Sequence, residues 1–167
     1  SDMVLQDDNF TTIVRAVEEG RTIYNNIRGS VQYLLSCNTG EIAAIFSSLL
    51  LGLGSPLSAI QILWLNLVTD GPPALALGLE PPQKDIMDIP PRKPQEGMFA
   101  GGVGARILWR GIMIGLLSLS AYWLALSWGR TLQEAHTMTF ITMALSQIVH
   151  SFNVRSMEHS LFTIGFG

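Results

Sequence analysis

Five oxygen-bearing side chains stand in two long apolar stretches of the sequence. Asn38 and Glu41 are three residues apart, and Asn66, Thr69 and Asp70 follow at i, i+3 and i+4. In α-helices these spacings place side chains on one face. Carboxylate, amide and hydroxyl oxygens suit a hard cation such as calcium, magnesium or manganese, whereas zinc or copper would need thiolate or imidazole. The pattern therefore predicts a hard-cation site built from two neighbouring helices.

Glu41 and Asp70 are the acidic residues that lie deep in these apolar stretches. A charge at the centre of a bilayer costs about 2.5–3.5 kcal/mol on insertion scales, so such residues normally face a protein interior and mark an ion or proton path. A protonated or hydrogen-bonded clamp between helices is the simpler explanation for a lone acid, and interhelical hydrogen bonds are the simpler explanation for the amides and the threonine taken singly. Two acids on adjacent helices, with three further oxygen donors, favour the ion site.

Two prolines follow the second acid. Pro72 and Pro73 cannot donate to the carbonyls four residues earlier, and Gly71 precedes a proline and is biased away from helical angles. We expect the helix to unwind at 71–73, directly after Asp70, and to free backbone carbonyls at membrane depth. Irregular backbone is tolerated there only inside protein or beside a cavity, and broken helices beside ion sites recur in transporters. A simple proline kink would not explain why the break adjoins the acid.

Other polar residues in the apolar stretches have simpler explanations. Gln147, His150 and Asn153 recur every three residues and would present a polar stripe to the same interior. A histidine in this position is more often a hydrogen-bonded residue at a helix end than a ligand. Cys37 adjoins Asn38 but lies about 100° round the helix. We expect it to be a buried, inert thiol that points away from the site.

Long apolar runs divide the chain into segments of membrane-spanning length. A spanning helix needs about 20 apolar residues. The predicted spans are residues 27–53, 57–79, 104–128 and 137–153. The first two are separated by the turn Gly54-Ser55-Pro56 and must form an antiparallel hairpin. The fold class is therefore an all-α polytopic membrane protein with four transmembrane helices.

The remaining segments are polar or rich in proline. Residues 1–26 combine a short apolar run at 3–5, which predicts a strand, with a stalk helix whose apolar residues recur at helical spacing. Residues 80–103 hold five of the eight prolines and predict a stiff connector. We expect a short polar loop at 129–136 and the start of a further helix at 160–167. Both ends of the sequence look cut, so we expect it to be a fragment of a longer protein.

The charges orient the bundle and exclude one class of partner. Of the ten lysines and arginines, Arg130 alone would lie on the far side of the membrane. The positive-inside rule then places the amino end, the proline-rich connector and the end of the fourth span in the cytoplasm. The net charge of −3 and the lack of a basic tract interleaved with aromatic residues argue against a nucleic-acid partner.

Several motifs together resemble the carboxyl-terminal membrane half of P-type cation pumps, and most closely calcium pumps of the sarco/endoplasmic reticulum type and their bacterial relatives. NTGE at 38–41 matches the ion-binding motif of the family's fifth membrane helix, and LWLNLVTDGPPALALGLEPP at 63–82 matches the sixth. SDMVLQDDNFTTIVRAVEEGRTIYNNI resembles the end of the phosphorylation domain and the stalk. DIMDIPPRKP matches the following cytoplasmic loop. The resemblance covers essentially the whole chain and would make its four spans the fifth to eighth of the family.

The resemblance implies which residues hold calcium. One site would be lined by Asn38, Glu41, Thr69 and Asp70. Asn66 would contribute to a second site, which Asp70 would share. The eighth helix of the family supplies one more acid or amide, and the pattern Q-x-x-H-x-x-N-x-R makes Gln147 the candidate. An amide in place of an acid would weaken the first site and bears on whether one or two ions are bound.

The resemblance also implies an ATP-driven calcium exporter. The family's phosphorylated aspartate, nucleotide-binding domain, actuator domain and fourth-helix glutamate have no counterpart in the sequence, so ATP and magnesium would act only through amino-terminal domains of the same protein, and this segment alone should not hydrolyse ATP. The short loop after the third span favours a bacterial-type enzyme of the plasma membrane. Burial and like charge both disfavour ionised carboxylates. Glu41 and Asp70 should therefore be protonated in the ion-free state, which predicts proton counter-transport.

Three other functions fit the residues. A P-type pump for manganese or sodium would use the same oxygen cluster. So would a cation transporter or channel that does not use ATP. A membrane anchor or assembly subunit would not need Asp70 at all.

Overall fold

Helices make up all the regular structure of the residues that the computed structural model describes, which are 10–82, 86–88, 90 and 97–155. They are α1 (Phe10–Leu50), α2 (Ala59–Trp64), a π-helix (Leu65–Thr69), α3 (Gly71–Gly78), α4 (Val103–Ser127) and α5 (Leu132–Val154). This agrees with the predicted all-α class. The strand predicted at 3–5 and the helix predicted to begin at 160 lie outside the described residues.

The first helix is one continuous rod. α1 has 41 residues, which corresponds to about 60 Å at 1.5 Å per residue, and it joins the predicted stalk to the predicted first span without a break. Its end is closed by Gly52, whose φ is 70°. There the amide of Leu53 donates to Ser48 O and that of Gly52 to Leu49 O, both at 3.0 Å. This is the Schellman arrangement, in which glycine accepts the left-handed conformation at no steric cost.

The third predicted span is confirmed as a helix. α4 (Val103–Ser127) differs from the predicted 104–128 by one residue at each end, and among the described residues it alone is long and apolar enough by itself to cross a membrane. The other predicted spans carry the polar residues discussed above, and the second is divided among α2, the π-helix and α3. α4 ends in the same arrangement as α1, with Gly129 at a φ of 69° and Arg130 N donating to Ala125 O.

The loop predicted at 129–136 is shorter than expected. α5 begins at Leu132, so the prediction of a loop through His136 is wrong. The reason is a capping box: Glu134 Oε2 accepts from the amide of Thr131 at 2.9 Å, and the Thr131 hydroxyl accepts from the amide of Glu134 at 3.3 Å. These two bonds satisfy helix-end amides and start the helix five residues earlier than its apolar pattern indicates.

Glycines bring α1 and α4 into backbone contact. A Cβ added to Gly111 would lie 2.5 Å from Thr39 Cβ and 2.8 Å from Ser36 O, and one added to Gly115 would lie 2.8 Å from Gly40 O. Gly111 and Gly115 are four residues apart and therefore face α1 together, as in other small-residue helix contacts of membrane proteins. We call this contact the glycine seam.

Side chains of α1 also hold the segment between α3 and α4. Arg28 donates to Met98 O at 3.1 Å, and Asn26 donates to Glu80 O at 2.7 Å. The Glu80 carboxylate forms an ion pair with Arg155 at 2.9 Å, which ties the end of α3 to the end of α5. The connector is therefore fixed at both ends to the helices that carry the candidate site.

Candidate ion-binding site

A buried polar stripe on α1 forms one wall of the site. Tyr33, Cys37 and Glu41 follow each other at intervals of four residues, and their exposed fractions are 0%, 0% and 4%. This spacing places all three on one helix face. The stripe faces the π-helix and α5, and the glycine seam lies on another side of the same helix.

Glu41 links three helices. Its Oε2 accepts from the side-chain amide of Asn66 at 3.0 Å, and its Oε1 accepts from that of Gln147 at 3.2 Å. Both partners are neutral amides, so the carboxylate is hydrogen-bonded but carries no ion pair. Buried charges are normally paired with an opposite charge or coordinate a metal. The amides therefore leave the charge of Glu41 uncompensated.

Asp70 lies beside Glu41 and is 1% exposed. The Tyr33 hydroxyl lies 3.3 Å from its Oδ1, and the Cys37 thiol also interacts with the carboxylate. Its Oδ2 is buried and has no hydrogen-bond partner among the described residues. The two acids thus share one buried region, as the sequence predicted.

A π-helix determines where Asp70 points. The amide of Asp70 donates to Leu65 O at 2.9 Å, an i to i−5 bond, and the helix then restarts at Gly71. The extra residue per turn rotates the following side chains relative to a regular helix, and such segments are frequent at functional sites. The carbonyl of Thr69 turns inward, 3.3 Å from the Tyr33 hydroxyl.

The predicted break is real, but it lies elsewhere. Residues 71–73 form the first turn of α3, and Ala74 N donates to Asp70 O at 3.1 Å. The prediction that 71–73 are unwound is therefore wrong. In the first turn of a helix the missing N–H groups of Pro72 and Pro73 would have had no partner within that helix, so the prolines start α3 instead of disrupting it. The irregularity falls in the preceding turn, over Leu65–Thr69.

The site contains two buried oxygens with unmet bonding capacity. They are Asp70 Oδ2 and Gln147 Oε1, neither of which has a partner in the described part of the chain. Leaving a buried polar group unpaired costs about 1–3 kcal/mol. Both atoms are acceptors, so a cation would satisfy them where a further acceptor would not. The arrangement is suited to binding a hard cation.

The six predicted ligands are brought together unequally. Glu41, Asp70 and Gln147 are buried together. Asn66 is exposed, and its side-chain amide reaches into the site to donate to Glu41. Asn38 and Thr69 are half-buried, and their side chains make no hydrogen bond within the described residues. The backbone carbonyl of Thr69 accepts from the Tyr33 hydroxyl at 3.3 Å. No group of three or more His, Cys, Asp or Glu side chains able to hold a metal occurs within the described ranges. A cation here would need amide or carbonyl oxygens besides the two carboxylates.

A family model described as "Cation transporting ATPase, C-terminus" matches residues 54–167. The chain belongs to this family. Calcium-transporting ATPase 1 of Bacillus cereus (strain ATCC 10987 / NRS 248) is 46% identical over 181 residues, covering 99% of this chain and 20% of the relative. The calcium-transporting ATPase of Bacillus subtilis (strain 168) is 46% identical over 164 residues, covering 98% of this chain and 18% of the relative. The chain thus spans about a fifth of the length of these curated relatives.

The site predicted from the sequence of this cation-transporting ATPase segment omits two residues. Tyr33 and Cys37 contact Asp70. The prediction that Cys37 is buried is confirmed, but the prediction that it points away from the site is wrong. The signal was present in the sequence: Tyr33 and Cys37 precede Glu41 at intervals of four, a closer match to one helix face than the interval of three from Asn38.

His150 also differs from its simplest interpretation. It is 5% exposed, and its Nε2 has no hydrogen-bond partner within the described residues. Its ring lies against that of Tyr33, with centroids 5.8 Å apart. Of the predicted polar stripe on α5, Gln147 reaches Glu41, while His150 stands behind Tyr33.

Proposed function

We propose that this chain is the ion-binding transmembrane part of an ATP-driven calcium pump of the P-type. The observation that carries the proposal is Glu41, held between Asn66 and Gln147 from two other helices, beside the unpartnered Oδ2 of Asp70. The family membership and the names of the Bacillus relatives support calcium as the cargo and the bacterial plasma membrane as the location. In this proposal the chain crosses the bilayer four times. The crossings are made by α1, by the segment that runs from α2 through the π-helix to α3, by α4 and by α5.

The amides of Asn66 and Gln147 would serve two states of the site. With their N–H groups turned to Glu41, they hold its carboxyl group in place when the cation is absent. Rotation of either amide by about half a turn exchanges its N–H₂ for its oxygen. Calcium takes six to eight oxygens, and the two rotated amides together with both carboxylates would provide part of this shell. Asn38, Thr69 and the inward carbonyl of Thr69 are the further candidate ligands.

The rest of the transport cycle requires a longer enzyme. Phosphorylation of an aspartate by ATP and magnesium would take place in amino-terminal domains, and α1 would carry the resulting movement from its polar first half to Glu41 along one continuous helix. We propose alternating access to the site, with calcium leaving the cytoplasm. After release, burial of Glu41 and Asp70 together favours their neutral forms, so protons would be carried in the opposite direction.

The proposal is tested in the full-length enzyme by calcium-dependent phosphorylation and by ATP-driven calcium uptake into inside-out vesicles. Glu41→Gln and Asp70→Asn each keep the side-chain shape and remove a charge. We expect the calcium concentration for half-maximal phosphorylation to rise about tenfold or more, as loss of about 1.4 kcal/mol of binding energy would give. The matched control is Glu134→Gln, an exposed acid at the start of α5, which should leave both measurements unchanged.

Each alternative has its own result in the same experiment. Phosphorylation activated by manganese or sodium in place of calcium would show that the pump transports that ion and not calcium. Uptake without ATP would indicate a transporter or channel of another kind. Normal calcium-dependent phosphorylation in both site variants would contradict the proposed site and favour an anchoring role. A pH-sensitive dye inside the vesicles tests counter-transport, because ATP-driven uptake should raise the internal pH.

A further inference from the structure

A cavity of about 350 Å³ lies between α4 and α5, away from the candidate ion site. Its polar lining is confined to Arg110, His150, Asn153 and Ser146. The rest of the wall is apolar and includes Trp109, Met113, Leu117, Leu145 and Val149. The cavity is therefore amphipathic, and its lining contains no acidic residue.

The basic side chains of the lining lie near one end of both helices. Arg110 is seven residues from the start of α4, about 10 Å along its axis, and His150 is four residues from the end of α5, about 6 Å. α4 and α5 run antiparallel, so both residues stand near the end of the bundle that the positive-inside rule places in the cytoplasm. At that depth the headgroups and the first carbons of the acyl chains of a bilayer are within reach.

The donors around the cavity lack partners. Arg110 NH1 and His150 Nε2 are buried and have no hydrogen-bond partner in the described part of the chain, and the same holds for Arg106 Nε one turn before Arg110. Uncompensated positive charge below a membrane surface is costly. Two arginines on successive turns also repel each other. An anion bound between α4 and α5 would remove both penalties.

We propose that this cavity binds an anionic phospholipid of the cytoplasmic leaflet. The phosphate would accept from Arg110, whose planar guanidinium matches phosphate oxygens, and from His150 Nε2–H. An acyl chain would lie along Met113, Leu117 and Leu145 toward the bilayer centre. Basic pockets between transmembrane helices on the cytoplasmic side are suited to such headgroups. A soluble anion would leave the apolar part of the cavity uncovered, which is why a lipid is the better match.

Two side chains, those of His150 and Tyr33, lie between the cavity and Asp70. His150 lines the cavity, its ring lies against that of Tyr33 at a tilt of 31°, and Tyr33 contacts Asp70. Binding of the lipid does not depend on the proposed transport function, and its test measures no transport. It needs only that α4 and α5 lie in a bilayer and that the cavity is open to lipid in the full-length enzyme.

The test uses Trp109, which lines the cavity, as a reporter. The full-length enzyme is reconstituted in phosphatidylcholine vesicles that contain, at equal mole fraction, either phosphatidylglycerol or phosphatidylcholine with brominated acyl chains. Quenching that is lost in Trp109→Phe is assigned to this residue. We expect phosphatidylglycerol to be preferred about fivefold or more at Trp109, as one membrane-facing arginine would give. Arg110→Gln should bring the ratio close to one, and Arg110→Lys should preserve most of it.

Arg130→Gln, an exposed arginine at the opposite end of α4 and α5, is the matched control and should leave the ratio unchanged. Equal quenching by the two lipids in the parent enzyme would overturn the proposal even if Arg110→Gln fails to fold. So would an unchanged ratio in Arg110→Gln. Failure of either brominated lipid to quench Trp109 would show that another segment of the enzyme covers the cavity, and would also overturn it.

Discussion

On one side α1 packs against α4 through glycines, and on another it faces the π-helix and α5 through polar side chains. At the glycine seam a Cβ on Gly111 or Gly115 would come within 2.8 Å of the neighbouring helix or closer. On the polar side, Glu41 accepts hydrogen bonds from two other helices. Asp70, which the Tyr33 hydroxyl of α1 contacts, keeps one oxygen unpartnered among the described residues. α1 therefore has one interface that is closely packed, the glycine seam. It has another interface in which a buried polar atom lacks a hydrogen-bond partner among the described residues.

This difference has a physical consequence for ion binding. Close-packed interfaces resist small displacements, because a shift of a few tenths of an ångström loses dispersion contacts or creates overlap. Polar groups that lack a full set of hydrogen bonds can exchange partners at a lower cost in free energy. The glycine seam therefore fixes α1 and α4 as one unit. The π-helix and the amides of Asn66 and Gln147 provide the part of the structure that can rearrange around a cation.

The largest effect is expected where the seam is filled. Gly111→Val would place a branched side chain against Thr39 and the backbone of Ser36. Overpacking of a tight contact costs about 1–3 kcal/mol, and more where backbone must move. We expect a thermal unfolding midpoint lower by several degrees, or no folded enzyme. The control is Gly104→Ala in the same helix, where an added Cβ meets nothing within 4 Å. An unfolding midpoint unchanged by Gly111→Val would show that the seam is not tight.

A smaller effect, of a different kind, is expected on the polar side. Tyr33→Phe removes the hydroxyl that lies 3.3 Å from Asp70 Oδ1. At 3.3 Å this hydrogen bond is long, so its net contribution is about 0.5–1.5 kcal/mol. Without it, the carboxylate would be held less firmly for the ion. We expect a several-fold increase in the calcium concentration for half-maximal phosphorylation, with little change in the unfolding midpoint.

Tyr122→Phe is the matched control for that variant. Its hydroxyl donates to Leu53 O at 3.1 Å, far along the chain from the acids. It should lower the unfolding midpoint slightly and leave the calcium dependence unchanged. If both tyrosine variants changed the calcium dependence equally, the two sides of α1 would not be functionally distinct.

The all-helical class and the convergence of the two acids could be predicted from the sequence, for physical reasons. Two acidic residues at membrane depth are expected to lie close together inside the bundle, because burying Glu41 or Asp70 alone would be costly. The glycine seam was not anticipated. A small residue at intervals of four indicates a close contact only when the partner helix is known, and nothing in the sequence pairs Gly111 with α1.

The errors came from local bonding that hydropathy does not record. Thr131 and Glu134 started α5 earlier than its apolar pattern indicated, and the prolines started α3 instead of interrupting it. The π-helix cannot be read from spacing, since it depends on which carbonyl the amide of Asp70 selects. The position of Cys37 relative to Asn38 predicts that it points away from the site, whereas its interval of four from Glu41 places it on the same helix face.

An intermediate case lies where α3 and α5 end. Arg155 and Glu80 form an ion pair at 2.9 Å whose side chains are 29% and 24% exposed. Partly solvated pairs of this kind contribute about 1 kcal/mol or less. Arg155→Gln should therefore lower the unfolding midpoint by only a degree or two. The exposed pair Arg130–Glu134 offers the control, and Arg130→Gln should have still less effect. An effect as large as that of Gly111→Val would mean that this end of the bundle, and not the seam, holds the helices together.

The smallest effect belongs to the cap of α5, which lies outside both sides of α1 and outside the predicted span. Hydrogen bonds from Thr131 lower the pKa of the Glu134 carboxyl below its usual value. A lowered folded-state pKa contributes stability that is present above the unfolded value and is lost as the pH falls through the folded value. The difference in unfolding midpoint between the parent and Thr131→Ala should therefore be small near neutral pH and should shrink further in acid, below about pH 4.5. The glycine seam contains no titrating group, so the deficit of Gly111→Ala should stay constant over the same range. A pH-dependent deficit at Gly111 would mean that the seam and the polar side of α1 are coupled, and the separation drawn between them would fail.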